Sequence, residues 1–171
     1  MKIRPATLQD TDAIARRHID TWRAAYDGLM PDLLLDSLSE AGRQMQWREI
    51  IKDPMPRSAL YVAEQAGELV GFCHGGPARD EDLRQMDAAE IYALYVDPDH
   101  WREGLGSELM RRLVAFFDDQ EEYDFMSLWV LESNRRARDF YEVAGFIPDH
   151  TSKTEEKMGF ELEEVRYRSP L

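Results

Sequence analysis

A strand, a glycine-containing loop and a helix follow one another without interruption in the middle of this chain. The aromatic and β-branched run EIYALYV spans 90–96, and WREGLGS at 101–107 leads into a helical pattern over 104–117. The start of a helix leaves about four backbone N–H groups without partners and carries the positive end of the helix dipole. Gly104 and Gly106 have no Cβ, so an anion can approach this backbone closely. The segment therefore predicts a loop that binds a phosphate group.

The rest of the chain alternates between strand and helix patterns. Strands in the middle with helices interleaved indicate an α/β or α+β fold with a mixed sheet. A length of 171 residues corresponds to a single domain, 1–171. Strands are predicted over 2–6, 59–65, 68–76, 88–96, 124–131, 146–149 and 161–168, and helices over a segment ending near Ala25, over 32–38, 39–51 and 104–117, and between Asn134 and Gly145.

Composition and charge argue against several classes of protein. Hydrophobic residues make up 43% of the chain, and the longest apolar runs are only a few residues, so we expect a core but no membrane span. A formal net charge of −13 argues against a nucleic-acid partner. The segment MKIRPATLQD has no secretion-signal pattern and Cys73 is the only cysteine, which fits a cytoplasmic protein. The histidines lack ligand spacing, so no metal site is expected.

Positive charge is concentrated near the predicted phosphate loop, although the chain as a whole is acidic. A cofactor with several phosphates is attracted to such a cluster, while the acidic remainder favours a cationic second substrate. The alternative is that these arginines are solvated residues on helix faces. The cluster consists of Arg102, Arg111, Arg112, Arg135, Arg136 and Arg138.

Two motifs, in this order, give the chain a resemblance to a known family. They are ALYVDPDHWREGLGSELM at 93–110 and LWVLESNRRARDFYEVAGF at 128–146. Together they resemble the acetyl-CoA motif and the Asn–helix motif of the GNAT N-acetyltransferase superfamily, and the resemblance covers nearly all of the chain. It implies a mixed central sheet of about six to seven strands, in which two parallel strands splay apart to form the acetyl-CoA cleft. Trp101 departs from the family pattern, which usually has Gln or Arg at that position.

The resemblance implies where acetyl-CoA binds. The pantetheine arm pairs with the backbone of the strand before the loop, and the pyrophosphate meets N–H groups at the helix start. Asn134 contacts the pantetheine or phosphate region, and it is also a candidate N-cap. The implied cofactor-binding residues are Leu94, Tyr95, Val96, Arg102, Glu103, Gly104, Leu105, Gly106, Ser107, Asn134 and Tyr141.

The resemblance also implies two residues for proton transfer. Tyr141 is the expected general acid, which protonates the sulfur that leaves when the thioester is cleaved. The alternative for Tyr141 is a core residue or a hydrogen-bond anchor. Glu90 is the expected general base, because an alkylammonium group with a pKa near ~10 must lose a proton before it attacks. The alternatives are a solvated carboxylate at the strand edge, and deprotonation through ordered waters as in other members.

Trp22, Tyr26 and the loop 27–31 belong to the region that lines the acceptor pocket in relatives. Two aromatic residues four positions apart on a helix also suit the packing of a helix on a sheet. A cationic acceptor resting on their faces is the functional interpretation. The implied acceptor is an amine of a small molecule or peptide, and homodimers are frequent among relatives.

The expected function is acetyl-CoA-dependent N-acetyltransfer, in which the amine attacks directly within a ternary complex and a backbone N–H stabilises the oxyanion. One alternative is a non-catalytic acyl-CoA-binding regulatory or interaction module with the same fold. A nucleotide-binding α/β domain is a further alternative. It is disfavoured because the chain has neither a G-x-G-x-x-G fingerprint after its first strand nor a P-loop G-K-[ST] motif.

Overall fold

The computed structural model describes residues 1–120 and 122–171, which form a seven-stranded mixed sheet flanked by helices, as the sequence predicts. The strands are β1 (Lys2–Pro5), β2 (Ala59–Gln65), β3 (Glu68–Pro77), β4 (Ala88–Val96), β5 (Phe125–Leu131), β6 (Ile147–Lys157) and β7 (Phe160–Pro170). The helices are α1 (Thr11–Tyr26), α2 (Asp32–Asp36), α3 (Glu40–Lys52), α4 (Leu105–Asp118) and α5 (Arg135–Val143).

The pairing of strands changes at the centre of the sheet. The order across the sheet is β1-β2-β3-β4-β5-β7-β6. Strands β1 to β4 are antiparallel neighbours, β4 and β5 are parallel, and β5, β7 and β6 are again antiparallel. Helix α4 connects the parallel pair, because parallel neighbours need a long crossover connection.

The parallel pair separates after a short ladder. Ala88–Ile91 of β4 pair with Phe125–Leu128 of β5, and within the described residues the pairing of these two strands stops there. A bulge at Tyr92 then shifts the register of β4 against β3. The two strands diverge toward the start of α4 and leave a cleft between them, so the predicted splayed pair is confirmed.

Helices pack on both faces of the sheet. On one face α4 packs on β2, β3 and β4 and buries its predicted apolar stripe, which includes Leu109 and Leu113. On the other face, Ile14 of α1 and Trp47 of α3 pack in one cluster with Phe72. Packing from both sides fixes the position of β4 beside the cleft. No helix in the two described ranges is long and apolar enough to cross a lipid bilayer.

The C-terminal hairpin is the main difference from the predicted elements. The sequence predicts a short strand over 146–149 followed by polar turns, whereas β6 continues to Lys157. Strand β6 lies at the edge of the sheet and most of its side chains are exposed. Charged residues on an edge strand discourage pairing with another sheet. They also remove the alternation of apolar residues by which a strand is recognised.

Candidate active site

A cleft of about 590 Å³ lies between the diverging strands β4 and β5. Apart from Glu103, each predicted cofactor-binding residue lines this cleft. Of the predicted acceptor residues, Tyr26 lines the cleft, whereas Trp22 and Glu90 lie outside its lining. The predicted residues that line it are Leu94, Tyr95, Val96, Arg102, Gly104, Leu105, Gly106, Ser107, Asn134 and Tyr141.

The loop before α4 contains a run of unpaired backbone amides. The first backbone hydrogen bond of the helix runs from the Glu108 N–H to the Gly104 carbonyl at 3.0 Å. Within 1–120 and 122–171, the N–H groups of 102–107 donate to no protein acceptor. Arg102 and Gly104 have left-handed φ angles of 69° and 83°, and such backbone turns direct successive N–H groups into one concavity. With the positive end of the α4 dipole, these amides form a site for an anion.

Two guanidinium groups add positive charge to this site. Arg102 and Arg136 both line the cleft, and burial together with the nearby Arg102 lowers the pKa of Arg136. The Arg136 guanidinium lies 3.5 Å from the ring centre of Trp101, whose Nε1 donates to the Val96 carbonyl at 2.8 Å. Trp101 therefore links the loop to β4 and α5, a structural use of the position that departs from the family pattern.

Arg136 is a site residue that the sequence motifs did not single out. It is one of the six arginines of the predicted cluster, but other members point to partners outside the cleft. Arg111 pairs with Glu108 at 2.5 Å, and Arg138 Nε donates to the Tyr167 hydroxyl at 3.0 Å. The sequence feature that could have indicated this role is the position of Arg136 in the first turn of α5, which begins beside the cleft.

Asn134 connects β5 to α5 and caps the helix, as predicted. Its side chain is buried, and Oδ1 accepts a hydrogen bond from the Ala137 N–H at 3.2 Å. The side-chain amide also carries two N–H donors, and these donate to no acceptor among the described residues. Asn134 can therefore cap α5 and donate to a ligand in the cleft at the same time.

Tyr141 has a packed ring and a free hydroxyl in the cleft. The ring meets Phe140 and Phe146 edge-on, at centre-to-centre distances of 5.2 and 5.9 Å. Its hydroxyl forms no hydrogen bond with the part of the chain that the structure describes. Burial raises the pKa of Tyr141, and nearby Tyr95 and Cys73 raise it further. The hydroxyl therefore keeps its proton at neutral pH and is available as a donor.

Tyr26 and Trp22 stand between the cleft and a second pocket. Their ring centres are 5.2 Å apart in an edge-on contact, and both pack on a buried cluster that includes Met30. Burial raises the pKa of Tyr26, and neighbouring Tyr95 and Tyr141 raise it further. Trp22 lines the second pocket, which has a volume of about 440 Å³. Trp22 and Tyr26 therefore pack against the core and also lie between the two cavities.

Glu90 is buried in β4, with only 1% of the residue exposed, and is held by Arg79. The Arg79 backbone N–H donates to Glu90 Oε2 at 2.8 Å, and Arg79 Nε donates to Oε1 at 3.1 Å. The Arg79 guanidinium also lies 4.3 Å from the ring centre of Tyr92. The solvated alternative for Glu90 is therefore wrong. If Glu90 acts as a base, its carboxylate does so while paired with Arg79.

Other reactive side chains near the cleft are buried. Cys73 is fully buried and burial raises its pKa to about 12, which fits a small core residue rather than a nucleophile. Burial lowers the pKa of His18 to about 3 and that of His74 to about 4. In the described ranges, no three side chains of the metal-ligating types lie together as a metal site.

The chain is similar in sequence and fold to known acetyltransferases. A probable N-acetyltransferase of Mycobacterium tuberculosis, Rv2775, is 29% identical over 175 residues, covering 98% of this chain and 92% of that protein. The PaiA N-acetyltransferase of Thermoplasma acidophilum, solved in complex with coenzyme A, has a TM-score of 0.73 at 16% identity, covering 99% of this chain and 98% of that one. YncA from Salmonella typhimurium, solved with acetyl-CoA, has a TM-score of 0.72 at 19% identity, covering 99% and 93%.

The match to a family model is more specific than the shared fold. The model described as the acetyltransferase (GNAT) family matches residues 21–146. This range runs from α1 to the end of the second motif and includes the cleft, the amide-rich loop and Tyr141. The resemblance and the enzyme class predicted from the two motifs are confirmed. The chain belongs to the GNAT acetyltransferase family.

Proposed function

We propose that this acetyltransferase transfers the acetyl group of acetyl-CoA to a primary amine of a small molecule or peptide, by direct attack in a ternary complex. The observation that carries the proposal is the run of unpaired N–H groups at 102–107 beside Arg102 and Arg136. Structures of the same fold have been solved with coenzyme A or acetyl-CoA. When bound, acetyl-CoA supplies an acetyl group that is already activated as a thioester.

The residues around the cleft fit a diphosphate and an extended amide-containing chain. The amides of 102–107 and the two guanidinium groups supply donors and positive charge for the diphosphate. Beyond Ile91, β4 pairs with no strand on its β5-facing edge within the described residues, so an extended chain can pair there as an added strand. The Val96 carbonyl at the end of β4 is already taken by Thr21 and Trp101. Asn134 adds side-chain N–H donors at the opposite wall.

Tyr141 is the proton donor in this proposal. Because burial raises its pKa, the hydroxyl is protonated at neutral pH, and it has no competing partner among the described residues. Donation to the sulfur as the C–S bond breaks makes the leaving group a neutral thiol, which does not attack the product. Glu90, directly or through water, accepts the proton of the amine. Backbone N–H groups of β4 stabilise the carbonyl oxygen as it gains negative charge.

Replacement of the Tyr141 hydroxyl tests this assignment. We expect Tyr141→Phe to lower kcat by about a hundredfold, the size typical of general acid catalysis. The dissociation constant of acetyl-CoA should stay within about twofold, because the ring remains and no hydrogen bond is lost. Thiol release across an amine panel measures the first quantity, and calorimetry measures the second.

Tyr123→Phe is the control, since the Tyr123 hydroxyl is buried and lies outside the cleft lining. An unchanged kcat in Tyr141→Phe removes Tyr141 from the mechanism. A wild-type protein that binds acetyl-CoA but acetylates no amine supports the alternative of a non-catalytic acyl-CoA-binding module. Absence of acetyl-CoA binding contradicts both functions.

A further inference from the structure

The second pocket has an unusual charge for a protein of net charge −13. It lies between α1, α2, α3 and the turn after β6, and its wall is otherwise apolar or neutral. Its charged lining residues are Arg43 and Lys157, and no carboxylate belongs to the lining found in the described residues. Met30, Leu34 and Leu38 give it an apolar floor.

Arg43 is a half-buried cation that lacks a carboxylate partner. Its Nη1 donates to the neutral Gln46 Oε1 at 2.7 Å, and within 1–120 and 122–171 no Asp or Glu oxygen lies within ion-pair distance of it. The guanidinium lies 5.5 Å from the ring centre of Trp22. Its charge contributes, after burial, to the lowered pKa of nearby His18. A half-buried guanidinium without a carboxylate partner can bind an anion.

Lys157 places a second cation on the same aromatic ring. Its Nζ lies 5.6 Å from the ring centre of Trp22, and it also pairs with Glu155, which is outside the pocket lining, at 3.1 Å. The two cations therefore lie at one end of the pocket. Tyr26, which lines the cleft, packs edge-on against Trp22, so this same end of the pocket borders the cleft.

We propose that the acceptor is a primary amine that also carries a carboxylate and an apolar body, as an apolar amino acid does. The carboxylate binds between Arg43 and Lys157, and the apolar body lies on the pocket floor. The amine of such an acceptor is attached to the same carbon as the carboxylate, so it lies at this end of the pocket, beside Tyr26 and the cleft. This rests on the proposed function. Transfer forms the amide N–C bond and breaks the thioester C–S bond, and of the two ammonium protons that leave, one ends on the sulfur and one in solvent.

The positive lining runs against the expectation of a cationic acceptor that the acidic composition suggests. A polyamine or an aminoglycoside brings further positive charge toward Arg43 and Lys157, which repel it in a partly desolvated pocket. Local charge rather than net charge decides the preference, because charges separated by more than about 8 Å are largely screened at physiological salt.

Matched ligands without a reactive amine test the carboxylate site independently of turnover. With the protein saturated with coenzyme A, calorimetry compares 4-methylpentanoate with 4-methylpentanamide. We expect the acid to bind about tenfold to a hundredfold more tightly, the range for hydrogen bonds to a charged group. Arg43→Met and Lys157→Met should each reduce this ratio, and the double variant should bring it to about one. Arg48→Met, an exposed residue of the same helix, is the control.

Turnover gives the second measurement. Thiol release is compared for L-leucine and 3-methylbutylamine, which differ by the carboxylate, and we expect kcat/KM to favour leucine by at least about tenfold. Equal affinity for the acid and the amide, or no heat from either, overturns the carboxylate site even if amines are acetylated. Loss of acetyl-CoA binding or of all amine turnover instead contradicts the proposed function, and in that case the acid and the amide are compared by calorimetry on the protein without coenzyme A.

Discussion

At the scale of single residues, burial sets the response of this protein to pH. His18 and His74 are 5% and 8% exposed, and their pKa values fall to about 3 and about 4. Trp47 Nε1 donates to His18 Nδ1 at 3.1 Å, so the neutral ring carries its proton on Nε2. Both histidines therefore stay neutral in the folded state at pH values where the unfolded chain protonates them.

Acid should begin to destabilise the protein at pH values well above the pKa of its carboxyl groups. The unfolded state binds more protons below pH ~6.5, so the free energy of unfolding falls by about 1.4 kcal/mol per pH unit for each buried histidine until the folded pKa is reached. His74→Phe should remove one such contribution, about 2 kcal/mol between pH ~6.5 and ~5. Urea unfolding at several pH values measures the slope. The exposed His150→Asn is the control, and an unchanged slope in His74→Phe contradicts the assignment.

Variants of Glu90 and Arg79 distinguish a catalytic role of Glu90 from a structural role of the ion pair. If Glu90 is the base, Glu90→Gln should lower kcat by about a hundredfold and leave acetyl-CoA affinity unchanged, because the carboxylate lies outside the cleft lining. Arg79→Met breaks the same ion pair but keeps the carboxylate, and it should retain most of the turnover. Steady-state kinetics and unfolding free energies of both variants give the comparison. Equal losses of turnover in the two variants indicate that the pair serves only the structure.

At the scale of elements, the loop before α4 depends on one backbone conformation. Gly104 has a φ of 83°, and a Cβ there meets no atom within 4 Å, so the cost of Gly104→Ala is conformational rather than steric. The left-handed region costs a residue with a Cβ roughly 1–2 kcal/mol. Relief of that strain rotates the amides of 102–107 away from their common centre.

Gly104→Ala should therefore weaken acetyl-CoA binding by about tenfold or more, since several charge-assisted hydrogen bonds lose their geometry together. Gly67→Ala is a close control, because Gly67 has a φ of 86°, lies in the β2–β3 turn, and leaves the space around an added Cβ open to 4 Å. Both variants should lose similar stability in urea unfolding. Comparable acetyl-CoA affinity in both contradicts the role of this loop.

The elements that the sequence predicts well are those with local causes. The α4 stripe, the Asn134 cap and the strand before the loop follow from periodicity and from residues a few positions apart. The length of β6 is underestimated because exposure at the sheet edge removes its pattern. The Arg79–Glu90 pair and the contact of Arg136 with Trp101 join residues that only the folded chain brings together. No local pattern carries such information, so these parts of the site could not be predicted.

At the scale of the whole molecule, net charge misleads about the second pocket. The chain carries 34 acidic and 21 basic residues, which suggests a preference for cations. The folded chain pairs many of these charges with one another, as around Arg166, which contacts Asp80, Asp82 and Asp149. What remains at the pocket is the local excess of Arg43 and Lys157. Composition cannot predict which charges are left unpaired after folding.

The short ladder between β4 and β5 has a kinetic consequence. Four residue pairs join β4 and β5. Arg43 and Trp22 belong to helices on the β1–β4 side of this ladder, whereas Lys157 ends β6 on the other side, so the second pocket has one wall on each side. Acetyl-CoA bound between β4 and β5 sets the distance between the two sides of the second pocket, where the amine binds. We expect a compulsory sequence of addition, with acetyl-CoA first, so that the acetylated amine inhibits noncompetitively against both substrates, whereas random addition makes it competitive against the amine. Product-inhibition patterns with random addition contradict this coupling.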